Sequence, residues 1–293
     1  MRGLMGVAVD DMIDDPTKPE FAAWSSYRDF AERVRHQRRY VWDDHVKAFI
    51  ATVLATLRDR DVTLRKGIVL FRAQRGIDYV SHRKNRPEEP TGYTALRMKP
   101  RPSRATEGRA NATGVPALYL GTTEQTVISE VRPWVGAEIS VAQFELKRKL
   151  RALDLSRGHG QSSIGTLPFS HFLEGKPLTS EQREKAVWID IDNAFSEPVT
   201  KSDDAGDYVP TQILAEVFRD AGYEAIVYKS QFGEKGFNVV VFNPDDADVI
   251  NCAPYLVSGF DVSFNEIGNR WFRVKKRRGS AATRRKRRPS VKR

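Results

Sequence analysis

The chain has 293 residues, of which 40% are hydrophobic, and it contains a single cysteine. This length can bury a sizeable core, and the lone cysteine excludes a disulfide framework and a cysteine-based metal cluster. Five histidines without metal-ligand spacing predict no metal site. The sequence has neither an apolar run near ~18 residues nor a signal peptide, which predicts a cytoplasmic protein with no membrane association.

The formal charge of +10 is concentrated at the C-terminus. Residues 270–293 contain 13 Lys or Arg and no Asp or Glu, so removing those 13 charges from +10 leaves −3 on residues 1–269. Such a tail either stays solvated or binds nucleic acid, an acidic partner or an anionic surface. Nucleic acid is therefore a candidate partner of the basic segment that begins at Lys275 and ends at Arg293.

Two amphipathic helices are predicted near the start, because apolar residues recur there every three or four positions. The first would contain Phe21, Trp24, Tyr27, Phe30 and Val34. The second would contain Val46, Phe49, Ile50, Val53, Leu54 and Leu57. Together they predict a helical hairpin ending near Asp61, and residues 1–65 are interpreted as an N-terminal helical extension.

Two short strands and a long connection are predicted next. An apolar strand at residues 68–71 would end at Arg72, and residues 73–104, rich in Arg, Pro, Glu and Gly, would form a loop or lid. A second strand, residues 117–120, would carry Tyr119.

A helix follows that second strand. The capping box Thr122-x-x-Gln125 predicts its start at about residue 123, and Pro133 marks its end. Glu130 would then lie two turns into the helix.

The remaining elements predict an α+β domain, because strands and helices follow without regular βαβ alternation. Strands are predicted at residues 138–146, 152–155, 225–228 and 237–242, and helices at residues 180–188, within an insertion over 156–208, and behind Pro210 as far as Gly222. The catalytic domain is predicted to span residues 66–258, with residues 259–293 as a C-terminal segment ending in the basic tail.

The run from Gly108 to Pro133 concentrates the candidate site residues. A glycine-bracketed Arg109 and Asn111 precede Tyr119, and Glu130 follows on the predicted helix. Arg, Tyr and Glu converging from a loop, a strand and a helix favour a site that binds an anion and stabilises a cation beside it.

These motifs resemble the RES-domain family, named for an arginine, a glutamate and a serine. The resemblance covers about residues 66–255 and rests on Arg72 after an apolar strand, GR-x-N with a following Gly-x-Pro, LY, E-V-R-P and Y-K-S…N-V-V-V-F-N-P. It implies the split-sheet fold of ADP-ribosyltransferases. It also implies a bacterial toxin that destroys NAD+ by glycohydrolysis or phosphorolysis and is restrained by a helix-turn-helix antitoxin of the Xre class.

Carried across by motif, the resemblance implies that Arg72, Glu130 and Ser230 are the catalytic residues. Arg109 and Tyr119 would be further pocket residues. Asn111 and Asn238 complete the candidate NAD+-binding set, although each is also typical of a turn or a strand end. NAD+ would be the substrate, and no prosthetic group is predicted.

The chemistry of NAD+ cleavage suits these residue types. The nicotinamide leaves as a neutral group while positive charge builds on the ribose, so the protein must supply placement and opposite charge. An arginine can bind the diphosphate, a carboxylate can stabilise the ribosyl cation, and an aromatic ring can pack on the pyridinium. A serine hydroxyl can fix a ribose or amide oxygen.

Each residue also has a structural alternative. Arg72 would then lie at the surface beside a carboxylate, Glu130 would pair with Arg132 or a neighbour one turn away, Tyr119 would belong to the core, and Ser230 would be a loop hydroxyl.

Other functions also stay open at this stage. They are modification of a macromolecule by ADP-ribosyl transfer, RNA cleavage by Arg39 and His45 of the hairpin, and non-enzymatic nucleic-acid binding by the tail. The sequence leaves open whether the chain forms a homodimer.

Overall fold

The structure is a computed structural model and describes residues 18–81, 87–197, 205–231 and 236–259. Helices α1 to α7 span Ser26–His36, Asp44–Thr56, Ala95–Met98, Glu124–Glu130, Phe169–Glu174, Ser180–Ser196 and Val209–Asp220. Strands β1 to β10 span Asp61–Leu64, Val69–Arg75, Asp78–Val80, Glu89–Thr91, Leu118–Gly121, Glu138–Leu146, Leu150–Leu155, Ala225–Lys229, Phe237–Val241 and Ala247–Leu256.

Eight of these strands form one sheet in the order β1-β7-β8-β9-β5-β2-β6-β10. Only β7 and β8 pair in parallel, while the other neighbours are antiparallel. Strands β3 and β4 form a separate two-stranded ribbon. Helices and a mostly antiparallel sheet in one unit confirm the predicted α+β class.

The sheet is split between β5 and β2. These strands are joined by a single residue pair, Phe71 with Gly121, whereas β2 pairs with β6 continuously from Val69 to Arg75. The sheet therefore consists of a five-stranded and a three-stranded half that separate beside Arg72. This confirms the split sheet predicted for the domain.

The N-terminal hairpin shares its core with the sheet. The rings of Phe30 in α1 and Phe49 in α2 stack at 4.5 Å, and the cluster continues through α6 and α7 to Leu153, Ile226 and Val240 of the sheet. Each such buried side chain contributes about 1.5–3 kcal/mol to folding. The predicted hairpin is confirmed, while its division from the catalytic domain at residue 65 stays a prediction.

Three predicted element boundaries are wrong near the N-terminus. Helix α1 begins at Ser26, so Phe21 and Trp24 lie in the irregular segment that precedes it. Strand β2 continues to Arg75, so Arg72 lies in mid-strand rather than at its end. The segment 73–104 is not a structureless loop, since it contains the end of β2, the β3–β4 ribbon and α3.

Three other elements differ from the sequence prediction. Helix α6 extends to Ser196, whereas the sequence predicted its end at residue 188. The added turns continue the buried face of the helix through Ile191 and Phe195. Strand β1 was not predicted, and neither was the long strand β10, which contains Asp248, Asn251 and Pro254. Strand β10 lies at the sheet edge, where a proline without an N–H is tolerated and one row of side chains faces solvent.

Some expectations fall outside the described residues, above all the basic tail at 270–293. Within the described ranges, no helix is long and apolar enough to cross a membrane. In the same part of the chain, no group of three His, Cys, Asp or Glu side chains is placed to hold a metal ion.

Candidate active site

Arg72 and Tyr119 face each other across the split. Arg72 lies in mid-β2 and Tyr119 in β5, and the Arg72 Nη1 donates a hydrogen bond to the Tyr119 carbonyl at 3.3 Å. The side chain of Arg72 thus reaches the backbone of the other half-sheet next to the single pair that joins the halves.

The GR-x-N loop packs on the Tyr119 phenol. The Tyr119 hydroxyl donates to the Asn111 Oδ1 at 2.6 Å and accepts from the Ala110 N–H at 3.0 Å. Gly108 is required there, because a Cβ at this position would collide with the Tyr119 hydroxyl and ring. Burial raises the pKa of the Tyr119 hydroxyl, which stays neutral and acts as an anchor for the loop.

Asn111 is a structural residue of this loop. It is buried, and its Nδ2 donates to the carbonyls of Thr106, Ala112 and Val115 at 2.9, 3.2 and 2.8 Å. The Nδ2 and Oδ1 atoms of Asn111 are therefore engaged within the protein. The residue also lines the basic recess described below, so its role as an NAD+-binding residue stays a prediction.

Helix α4 places Glu130 beside the split. Its N-cap is Thr123, one residue later than the predicted Thr122, and the Thr123 hydroxyl accepts from the Thr126 N–H at 3.1 Å. Glu130 is its last residue, and Arg132 takes a left-handed conformation with φ of 47° before Pro133 ends the helix. The E-V-R-P motif is therefore a helix stop that fixes the position of its glutamate.

Two side chains from β9 and the end of β8 fix one oxygen of Glu130. Its Oε1 accepts from the Ser230 hydroxyl at 2.8 Å and from the Asn238 Nδ2 at 2.7 Å. Both donors are buried, with 3% and 8% of their surface exposed, while Glu130 itself is exposed. Among the described residues nothing bonds to the Glu130 Oε2. One carboxylate oxygen is held and the other is open to a ligand.

The Arg72 guanidinium is short of partners. The Nη1 bond to Tyr119 is its only hydrogen bond to the described residues, none of which forms an ion pair with it, and its buried Nε has no acceptor. Burial lowers the pKa of Arg72 to about 10, so the group remains charged at neutral pH. A half-buried cation that forms no ion pair with the described residues and has an orphaned Nε donor suits an anionic ligand.

Arg72 and Glu130 line one cavity of about 170 Å³ at the split. Tyr119, Tyr228 and Asn238 also line it. Burial raises the pKa of Tyr228, and its hydroxyl has no hydrogen-bond partner in the described ranges. In the sequence, Tyr228 stands out only as the first residue of the Y-K-S motif. Its position two residues before Ser230 is the signal that points to a pocket residue.

A larger, basic recess adjoins this cavity and shares Arg72 and Tyr119 with it. The recess has a volume of about 680 Å³. Its cationic lining residues are Arg72, Arg97, Lys99, Arg101 and Arg104, whereas Glu107 is its one acidic lining residue. The segment predicted as a loop or lid supplies most of these cations.

Arg109 is not brought to either cavity. Its Nη1 donates to the Ala194 carbonyl at 2.8 Å and its Nη2 donates to the Glu197 carbonyl, so the guanidinium binds the C-terminal end of α6. The residue ties the GR-x-N loop to that helix. The structure thus gathers Arg72, Tyr119, Glu130, Ser230 and Asn238 at the split. Asn111 lines the adjoining recess, and Arg109 lines neither cavity.

The two hairpin residues weighed for RNA cleavage are both exposed. His45 lines a groove between α1 and α2, and Arg39 is not among the residues that line that groove. The structure gives no hydrogen bond or ion pair between these two described side chains.

The fold and the site together define an α+β protein with a cleft at the split of its sheet, lined by Arg72 and Glu130. The family model of the RES domain matches residues 70–261. That match covers more than half of the chain, and the protein belongs to the RES-domain family.

No curated protein matches the sequence. Among solved structures, the chain is similar to the crystal structure of the M. tuberculosis MbcT-MbcA toxin-antitoxin complex, with 15% identity and a TM-score of 0.37. The similarity covers 70% of this chain and 92% of that chain. A TM-score this low supports no transfer of residue roles or ligands.

Proposed function

We propose that the protein cleaves the bond between nicotinamide and ribose in NAD+ and acts as a toxin. The single observation that supports this most strongly is the state of Glu130. Its Oε1 is held by Ser230 and Asn238, its Oε2 is unbonded among the described residues, and it lines the same cavity as the unpaired Arg72. A fixed carboxylate beside an anion-binding arginine suits an anionic substrate that develops positive charge.

The reaction breaks the bond between the ribose C1′ and the nicotinamide nitrogen. The bonding electron pair leaves with the nitrogen, so nicotinamide departs neutral and the ribose becomes oxocarbenium-like. Water then adds to C1′ and loses a proton, which gives ADP-ribose. The open oxygen of Glu130 stabilises the cation and orients the ribose hydroxyls.

Other residues bind and orient the substrate. Arg72 binds the diphosphate through the donors that lack partners. The rings of Tyr228 and Tyr119 supply walls on which the pyridinium packs. Ser230 and Asn238 act through Glu130, whose orientation they fix. NAD+ is the substrate in this scheme, and no prosthetic group takes part.

Family membership supports the proposed biological role. RES-domain proteins resemble NAD+-destroying toxins, so this protein would be restrained by a helix-turn-helix antitoxin of the Xre class and would act in the cytoplasm.

Incubation of the pure protein with NAD+, followed by mass spectrometry, tests this proposal. Free ADP-ribose indicates hydrolysis, whereas a phosphorylated ADP-ribose that needs added phosphate indicates phosphorolysis. Nicotinamide release only in the presence of a protein or nucleic-acid acceptor indicates ADP-ribosyl transfer. Unchanged NAD+ under all three conditions contradicts the proposal.

A further inference from the structure

The basic recess contains more unpaired positive charge than a diphosphate needs. Two of its cations are already engaged, because Lys99 lies 3.0 Å from the Asp248 carboxylate and Arg97 lies 3.5 Å from the Asp78 carboxylate. Arg72, Arg101 and Arg104 have no ion pair with any described residue. The diphosphate bridge of NAD+ carries two negative charges, and Arg72 is placed to meet it.

Arg101 and Arg104 form a pair on one short turn. The Arg104 N–H donates to the Arg101 carbonyl at 3.0 Å, which closes a single turn of 3-10 helix. Side chains three residues apart on such a turn lie on the same face, and here both line the recess. Both residues are exposed, and neither guanidinium bonds to the described part of the chain. Paired arginines of this kind match the oxygens of a phosphate monoester.

The volumes of the two cavities indicate that each would hold a different part of the ligand. Ligand sites typically measure roughly 300–1,000 Å³. The cavity at Glu130, with about 170 Å³, is below that range, whereas the recess, with about 680 Å³, is within it. A dinucleotide with its nicotinamide ribose at Glu130 and its diphosphate at Arg72 would extend its adenosine half into the recess, toward Arg101 and Arg104.

We propose that this recess recognises a third phosphate, carried on the adenosine ribose, so that NADP+ is a substrate preferred to NAD+. This inference rests on the proposed NAD+ cleavage and names the substrate class of that same site. The phosphate monoester adds about 1.5–2 negative charges opposite two arginines that form no ion pair with the described residues.

The test compares nicotinamide release from NADP+ and NAD+ by the full chain and two double variants. In Arg101→Ala/Arg104→Ala, kcat/KM should fall at least ~10-fold for NADP+ and less than ~3-fold for NAD+, because the lost contacts reach only the third phosphate. Arg58→Ala/Arg65→Ala is the matched control. It removes the same charge at exposed positions outside both cavities. The ratio of kcat/KM for NADP+ to kcat/KM for NAD+ should stay unchanged in this control.

A binding measurement separates failure of this inference from failure of the proposed function. By calorimetry, adenosine 2′,5′-bisphosphate should bind the full chain at least ~10-fold more tightly than adenosine 5′-monophosphate, and the Arg101/Arg104 variant should lose that difference. Equal binding of the two nucleotides overturns the inference even if NAD+ is cleaved. If the binding difference is present but neither dinucleotide is cleaved, the recess is assigned correctly and the proposed cleavage is wrong.

Free inorganic phosphate is the other source of a phosphate group for this recess. The Arg101→Ala/Arg104→Ala variant could lose only phosphate-dependent product formation while its ratio of kcat/KM for NADP+ to that for NAD+ equals the ratio of the full chain. In that case the two arginines bind free phosphate. That result would overturn the inference.

Discussion

The Nδ2 of Asn238 donates a hydrogen bond to the Oε1 of Glu130 at 2.7 Å. Asn238 lies in β9 of the five-stranded half, whereas Glu130 ends a helix that packs against β2 of the other half. The bond therefore spans the split of the sheet. It fixes the position of the Glu130 carboxylate relative to strand β9 of the other half.

This relationship predicts how the two donors to Glu130 behave on mutation. Asn238→Ala and Ser230→Ala should each lower kcat by about 10-fold and change KM little, because they misplace the carboxylate without removing a substrate contact. Steady-state kinetics on NAD+ measures this. Asn251→Ala, which removes an exposed amide bonded to Gln143, is the control and should be neutral.

A double-mutant cycle checks that both donors act through Glu130. In the Glu130→Gln background, Ser230→Ala should cost much less than in the wild type, since the charge that Ser230 positions is already gone. Full additivity of the two losses would instead show that Ser230 contacts the substrate directly.

Arg72 should show a trade-off between function and stability. Arg72→Met removes a half-buried cation whose buried Nε has no acceptor, so the melting temperature should stay equal or rise. The KM for NAD+ should increase at least as much as kcat falls, because the diphosphate contact is lost in ground and transition states alike. Thermal melting and kinetics on one preparation measure both effects. A large fall in melting temperature would mean that Arg72 is a structural residue.

The three residues that the resemblance implies as catalytic could be proposed from the sequence because each lies in a short local motif. Arg72 follows an apolar run, Glu130 precedes V-R-P, and Ser230 ends Y-K-S. Local patterns also predicted β6 over Glu138–Leu146 with its observed bounds, since its apolar residues are dense and turn residues flank it.

Features that depend on distant parts of the chain were not visible in the sequence. The orientation of Arg109 is set by carbonyls at the end of α6, including Ala194, 85 residues later. Strand β10 has weak strand propensity and exists because β6 offers it an edge along its length. The hydrogen bond from Asn238 to Glu130 likewise joins residues 108 positions apart.

The buried ion pair between Arg60 and Asp192 joins the turn after α2 to α6, and breaking it should destabilise the fold. Its N–O distance is 2.7 Å, Asp192 also accepts from the Gly158 N–H at 2.7 Å, and Asp192 is fully buried. Asp192→Ala leaves Arg60 buried and unpaired, so denaturant unfolding should show a loss of about 3–5 kcal/mol. Glu174→Ala, which breaks an exposed pair with Lys176, should cost at most about 1 kcal/mol.

The basic tail should be separable from catalysis, because all candidate site residues precede residue 244 and the excess charge follows residue 269. Truncation after Asn269 should leave NAD+ turnover nearly intact and abolish salt-sensitive binding to nucleic acid. Fluorescence titration with duplex DNA at several salt concentrations measures the binding. Loss of NAD+ turnover in a truncated protein that still melts normally would place the tail in the active site.

The most direct test of the account is the rate of nicotinamide release from NAD+ by the wild type, Glu130→Gln and Glu124→Gln. Both variants replace a glutamate on α4, but Glu124 bonds to Tyr255 at 3.0 Å and does not line the cavity. We expect the wild type to release nicotinamide, Glu130→Gln to lose about 10²–10³ in kcat with NAD+ affinity little changed, and Glu124→Gln to stay near the wild type. Near-normal turnover by a folded Glu130→Gln protein would contradict the account.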